Sequence, residues 1–567
     1  MAPVVGNPDP VLSDLGTMGV GDVRTLTFTA ASGGLTVPSS MGTAQYAVIL
    51  GNSNVSSATI PSYTVRGDWL APSGQTPVSD VFPAARQLLA PAPVLSRGEA
   101  FEAGLRNFER TRLPRPAAAR AAGVAADRMA PHPARAVSPP PPVGSTINLK
   151  VLTADGFDGV TTSACASNGF VSTVGVVKYV SQHAVVVSDV SSPAGGFSSA
   201  DFQAIGDEFD QLIYPTDVGY FGTPTDIDNN GHIIIYYTPA VNKLTAAGQA
   251  AVTGYVGGFF FAGDLYPPTA AGCLSSNQAE VFYLLAPDPA GVNGNSFTTS
   301  FVRQVTRGTV AHEFQHMINS GNRYVSSTAE NFEATWMDEG LAHFAEDAVG
   351  RAKAGFADNQ AVSYSDIQDL DESTSQAFFL QNFARAKYYV ERPDTTGAIV
   401  SQTKAGANLA SRGAEWAMLR YAADWFNVGG DPRTLTRKLV AGPDTGTVNL
   451  VKATGVPMDT ILARFVVTLY TDHQSFLPAG SPYSYKSYEL RDLLTGTLIG
   501  SEVSSRYLPV GSLAGGSASV SASVPASSGA YFLSSESAGG ARTIRITDSS
   551  GNSASDANGR VYVVRVR

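Results

Sequence analysis

Two histidines four positions apart, His312 and His316, enclose a glutamate in the stretch Thr309-Val310-Ala311-His312-Glu313-Phe314-Gln315-His316-Met317-Ile318. On a helix they lie one turn apart and point the same way. Two imidazoles on one face supply half of a tetrahedral zinc site. Glu313 follows the first of them. From there its carboxylate can reach a metal-bound water more easily than the metal, which is the position of a general base in metal-assisted peptide hydrolysis.

A catalytic zinc takes a third protein ligand and keeps one position open. A third His six residues after the motif is excluded, because Asn319 and Asn322 stand where that pattern places Gly and His. A carboxylate on the next helix is the other common solution. Glu339, 23 residues after His316, is the expected third ligand. That separation allows one turn and an antiparallel return, and Gly340 lets two helices approach closely. His343 is one turn further on the same face. It is a candidate for orienting a ligand, for contacting substrate, or for donating to the oxyanion. Glu346 and Asp347 are alternative partners for the ligand histidines, although a solvated helix face is the favoured reading of Glu346. Among oxyanion donors from the later helices, Tyr421 is named first, with Tyr388 and Tyr389 behind it.

The elements that must position these residues follow from periodicity. Phe301, Val305, Val310, Phe314 and Met317 line one side of a helix from about Thr298 to Ser320, with Asn319-Ser320-Gly321 as its stop. A second helix is expected to open at Ser327-Thr328-Ala329-Glu330 and to end near Gly350. Ahead of them, residues 146–300 are rich in strand patterns: Ile147 to Leu152, Thr173 to Val177, Ala184 to Val190 and Ile233 to Tyr237. Helical spacing interrupts them from Ser198 to Ile213. Two further strands precede the first helix. The Gly-containing stretch Gly254 to Leu265 is the candidate edge for extended substrate, and Ala279 to Leu285 reads as its buried neighbour. Helices are expected again at Gln376 to Arg392, Gly413 to Phe426 and Asp459 to Tyr470.

The segment His312 to Asn319, together with Trp336-Met337-Asp338-Glu339-Gly340-Leu341-Ala342-His343, resembles the gluzincin metalloproteases. Within them it is most like the hyicolysin-like family of bacterial exported neutral proteases. The loop Asp226 to Gly231 and the strand Ala279 to Leu285 fit that setting. Asp338 departs from it, since related sequences often carry Asn there. The resemblance implies zinc on His312, His316 and Glu339, with Glu313 as catalytic base. The expected fold is α+β: a thermolysin-like (gluzincin) metalloprotease catalytic domain over 146–483, with β-sandwich-like accessory modules at 1–83 and 484–567.

Between the first module and the catalytic domain, residues 84–145 accumulate Arg and Ala (Arg106, Arg110, Arg112, Arg115, Arg120) and end in the run Pro139 to Pro142. A helix followed by an extended linker is expected. A pro-segment junction is the less favoured alternative. Asp226, Asp228 and Asn230 match the first half of a calcium loop, but Tyr237 stands where the closing Glu belongs. A calcium site completed from elsewhere and a plain Asn/Gly turn both remain open, with the turn favoured.

Composition bounds the rest. Charged residues make up 15% of the chain, against a typical value of about 25%. The net charge of −10 argues against nucleic acid or an anionic membrane as partner. No apolar run is long enough to span a bilayer. The two cysteines, Cys165 and Cys273, contain no C-x-x-C and leave one disulfide or two thiols equally open. The expected protein is a monomeric, secreted or cell-surface mature form that needs zinc and takes protein or peptide as substrate. Two rival readings are a non-catalytic adhesion protein with a degenerate protease core and an aminopeptidase in which Glu280 serves as the amine-binding acid.

Overall fold

The computed structural model describes residues 11–12, 15–31, 34–37, 44–56, 59–69, 96–121, 138–153, 169–269, 271–325, 328–400, 409–496, 507–513, 519–535 and 542–567. It is a mixed α and β structure. No helix among these residues is long and apolar enough to cross a membrane. The N-terminal strands are β1 (Val11–Leu12), β2 (Val23–Thr27), β3 (Leu35–Val37), β4 (Gln45–Asn52) and β5 (Ser62–Trp69). The central strands are β6 (Thr146–Leu152), β7 (Phe170–Val180), β8 (Ala184–Asp189), β9 (Ile233–Thr238), β10 (Gly258–Phe260) and β11 (Val281–Leu285). The C-terminal strands are β12 (Val510–Ser512), β13 (Ser519–Ser523), β14 (Ser528–Ser535), β15 (Arg542–Asp548) and β16 (Gly559–Arg565).

The two terminal stretches, expected as separate modules, share their sheets. One sheet has the order β1-β2-β16-β4-β14-β12 and the other β13-β5-β15-β3. The run Tyr46-Ala47-Val48-Ile49-Leu50 explains the arrangement. Its alternate residues Tyr46, Val48 and Leu50 face the core between the two sheets. Ala47 and Ile49 belong to the core of the rest of the molecule. A strand buried on both faces reads as a continuous apolar run and takes an interior place in its sheet. Here β4 lies between β14 and β16, which come from the far end of the chain.

The central sheet runs β10-β11-β9-β8-β7-β6. β10 is its edge and pairs antiparallel with β11, but the strand expected over Gly254 to Leu265 is confined to Gly258–Phe260, because Ala262–Leu265 turns into a 3-10 helix. The helices that matter for the site are α1 (Arg97–Arg112), α2 (Thr299–Val325), α3 (Thr335–Ala354), α4 (Leu380–Glu391), α5 (Leu409–Trp425) and α6 (Met458–Thr471).

Two helix boundaries differ from expectation. α2 continues past Gly321 to Val325 because Asn319 and Arg323 find buried partners, Asp338 and Glu333. α3 starts at Thr335, well after the expected opening (Ser327 itself lies outside the described residues). The Glu333 carboxylate accepts from the backbone of Ala334 at 2.8 Å and Gly446 at 2.6 Å, which holds the chain out of helix until that point. The close approach at Gly340 is to α5, not α2: a Cβ there would lie 2.6 Å from Leu419 Cδ1.

Candidate metal centre

α2 carries the two histidines into a buried position under β10. Glycine in the edge strand permits this, since a Cβ at Gly258 would lie 3.1 Å from the Thr309 methyl on α2. The Nε2 atoms of His312 and His316 are 3.2 Å apart. Glu339 Oε2, on α3, lies 3.6 Å from His312 Nε2 and 3.9 Å from His316 Nε2. Ligands bound to one tetrahedral zinc at ~2.0–2.1 Å are separated by about 3.3 Å. Glu339 is fully buried, and its Oε2 is ion-paired with Arg412 of α5. A buried carboxylate oxygen within 3.6–3.9 Å of two imidazole nitrogens that are themselves 3.2 Å apart fits a divalent metal. Burial would push the Glu339 carboxyl up, but Arg412 and both histidines outweigh it and hold it well below the usual range. Glu339 is therefore ionised, as a ligand must be.

The opposite edges of both rings are also held. His312 Nδ1 lies 2.7 Å from Glu346 Oε1, and His316 Nδ1 lies 3.0 Å from Asp338 Oδ2. Carboxylates in this position fix the tautomer and leave Nε2 free for metal. Glu346 is thus buried, not solvated as expected. It also lies 3.0 Å from His343 Nδ1 and accepts from Asn382 Nδ2 at 3.2 Å. His343 sits on the cleft wall. Burial, with Arg385 nearby, pushes its pKa down to about 3, so it is a neutral imidazole. Asp347 turns away from the site and pairs with Tyr488 and Arg420.

Glu313 faces the same cleft, a space of about 380 Å³ whose walls include His312, Glu339, His343, Tyr388 and Arg412. Its Oε2 accepts from the backbone N–H of Phe260 in β10 at 2.9 Å and lies 3.2 Å from Arg106 Nη2 of α1. Tyr421 is not at this site. It is fully buried and its hydroxyl donates to the Pro482 carbonyl at 2.6 Å. Tyr389 is likewise buried, with its hydroxyl 3.3 Å from Ser528 Oγ. Tyr388, one position earlier and so on another face of α4, lines the cleft wall, as does Tyr255. The acidic role considered for Glu280 is also excluded by placement: it accepts from Thr225 Oγ1 at 2.6 Å and Ile227 N at 3.0 Å, away from the cleft.

Asp226, Asp228 and Glu280 bring carboxylate oxygens within 4.8 Å of one another. The loop itself closes as an Asn/Gly turn. Asp226 Oδ1 accepts from the backbone of Asn230 at 2.9 Å and Gly231 at 3.2 Å, with Asn229 and Gly231 at positive φ. Asn230 turns its own amide onto Asp228 at 2.5 Å. Cys273 is disulfide-bonded, and Cys165 lies outside the described residues.

The sequence missed α1 as part of the site. Its signal was present in hindsight: Glu102, Arg106 and Glu109 recur at helical spacing beside Phe101, Leu105 and Phe108.

Over 142 residues the chain is 32% identical to a protein of Staphylococcus hyicus named Neutral metalloprotease ShpI. This likeness supports a metalloprotease relationship. The match covers 25% of this chain and 29% of that protein, so the chain spans less than a third of the length of the curated relative it matches. No protein-family model matches the chain.

Proposed function

We propose that this chain is an exported, zinc-dependent endopeptidase of the gluzincin type, most like the hyicolysin-like neutral proteases, with a thermolysin-like catalytic domain. The observation that carries the reading is the convergence of His312 Nε2, His316 Nε2 and Glu339 Oε2 on one point beside Glu313. Zinc held there would polarise the scissile carbonyl and acidify a water molecule. Glu313 takes the proton from the attacking water and delivers it to the leaving amine. Asp338 and Glu346 keep the two imidazoles oriented. Tyr388 on the cleft wall is the donor we assign to the oxyanion, while His343 beside it gives the one N–H of its neutral imidazole to the Glu346 carboxylate. Extended substrate would pair with the edge strand β10.

An endopeptidase is favoured over an aminopeptidase because Glu280 is committed to the 225–227 loop. Export is supported by the disulfide at Cys273, since such bonds persist in oxidising compartments. The test is metal content together with cleavage-site mapping on a mixed peptide pool over a long incubation. About one zinc per chain is expected. Cuts should fall inside peptides, at equal rates for blocked and free amino termini. Glu313→Gln should keep the metal and lose at least roughly a hundredfold in rate. Zinc binding without any cleavage would leave a non-catalytic binding protein, and preference for free amines would leave an aminopeptidase.

A further inference from the structure

Helix α1 comes from the segment that reads as a connector, yet it is built and placed like part of the cleft. Ser96 and Glu99 form a reciprocal capping box at its start. Phe101, Glu102, Leu105, Arg106, Phe108 and Glu109 form its buried face. Phe101 packs on Phe259 of β10 with ring centroids 5.2 Å apart. A helix that merely covered the edge strand would need only such apolar contacts. This one also buries three charged side chains, which costs free energy unless each is matched.

Each is matched to a part of the proposed machinery. Glu102 Oε1 lies 3.9 Å from His316 Nε2, and Glu102, His312 and His316 bring ligand atoms within 4.8 Å of one another. Arg106 is held between Glu102 and Glu109, both at 2.6 Å, and reaches Glu313 Oε2 and the Phe260 carbonyl, both at 3.2 Å. Glu109 Oε1 accepts from the Ala262 backbone at 2.7 Å. One helix therefore approaches the metal-facing nitrogens, the general base, the Phe260 carbonyl of the edge strand and the Ala262 N–H just beyond it. The Arg106 guanidinium stands on Glu313 Oε2, where an attacking water would have to hydrogen-bond, and a Phe260 carbonyl already taken by Arg106 cannot pair with substrate.

We propose that α1 is a built-in latency segment in which Glu102 fills the open metal position and Arg106 masks Glu313. The proposal rests on the metallopeptidase reading. Its reach is bounded by the fold. β4 and β5, before α1, are paired with β13, β14, β15 and β16. Activation thus moves α1 out of the cleft while the N-terminal strands stay in their sheets.

The test uses the full chain with cobalt(II) in place of zinc, so that the visible spectrum reports the ligand set. Acetohydroxamate then probes access to the open position. Glu102→Gln should change the cobalt spectrum, tighten acetohydroxamate at least tenfold and raise cleavage of an internally quenched peptide at least tenfold. Glu99→Gln gives a second reading that leaves the metal-facing residues in place. Glu99 anchors α1 through Arg385 at 2.9 Å, so its loss should raise hydroxamate affinity and peptide cleavage in the same direction. If spectrum, hydroxamate affinity and cleavage rate are unchanged in both folded variants, α1 is a permanent wall of the cleft and the proposal fails. If the spectrum and hydroxamate affinity change but no variant cleaves any peptide, ligation by Glu102 stands and the peptidase reading fails.

Discussion

Asp338 Oδ2 lies 3.0 Å from His316 Nδ1, on the ring edge opposite the nitrogen that faces Glu339. Asp338 is the position at which the resemblance leads one to expect Asn. Burial alone would raise its carboxyl, but His316 and Arg106 hold it below the ordinary value, so it stands as a carboxylate. Partners of this kind typically contribute about 10–100-fold in metal affinity. Asp338→Ala should weaken zinc by that amount in a chelator competition, and Asp338→Asn by less, because the amide oxygen can still accept from the ring. Equal affinity in all three proteins would show that His316 needs no such support.

The two tyrosine candidates separate cleanly by variant. Tyr421→Phe removes a buried hydrogen bond to Pro482 and leaves that carbonyl without its donor. A stability loss of about 1–3 kcal/mol is expected, with kcat unchanged. Tyr388→Phe should leave the melting temperature in place and lower kcat rather than raise KM, as for a group acting in the transition state. Thermal melts and steady-state kinetics on the two variants settle the assignment, and a kcat loss confined to Tyr421→Phe would reverse it.

Gly340 allows α3 to lie against α5. A methyl group at this position would stand 2.6 Å from Leu419 Cδ1 and 3.3 Å from the Glu415 backbone, so Gly340→Ala must displace the buried Leu419 side chain and crowd α5. Overpacking of this sort costs about 1–3 kcal/mol. Glu339 is adjacent, so zinc affinity should fall together with the melting temperature. A variant that melts lower but binds zinc normally would mean that Glu339 is positioned independently of this contact.

Asp217, in the short helix Tyr214–Phe221, is fully buried and neither of its oxygens has a hydrogen-bond partner among the described residues. Burial raises its pKa well above the usual carboxylate value. The folded state therefore holds a proton that the unfolded state releases once pH exceeds the ordinary carboxylate range. Stability from this group is present at low pH and falls by about 1.4 kcal/mol per pH unit as pH rises toward the folded pKa. Asp217→Asn should remove that slope. The variant's advantage in chemical denaturation should grow between pH 5 and pH 7, and a constant difference across that range would contradict the assignment.

What the sequence determined by itself was local chemistry. His312 and His316 face one way because a helix turns in 3.6 residues, and Glu339 follows at a distance that one turn and a return helix can close. The edge strand beside its buried neighbour was legible for the same reason, since Gly258 interrupts an apolar pattern that Val281 to Leu285 does not. The tertiary structure alone decided which side chains meet across long separations. Glu346 is a partner of His312 because α3 packs on α2, Tyr421 is lost to Pro482, and β4 lies between strands of the far terminus. Periodicity reports that a residue is buried but not what it is buried against. For the charged face of α1 that difference was decisive: Arg106 read as one of several connector arginines, and only packing brought it onto Glu313.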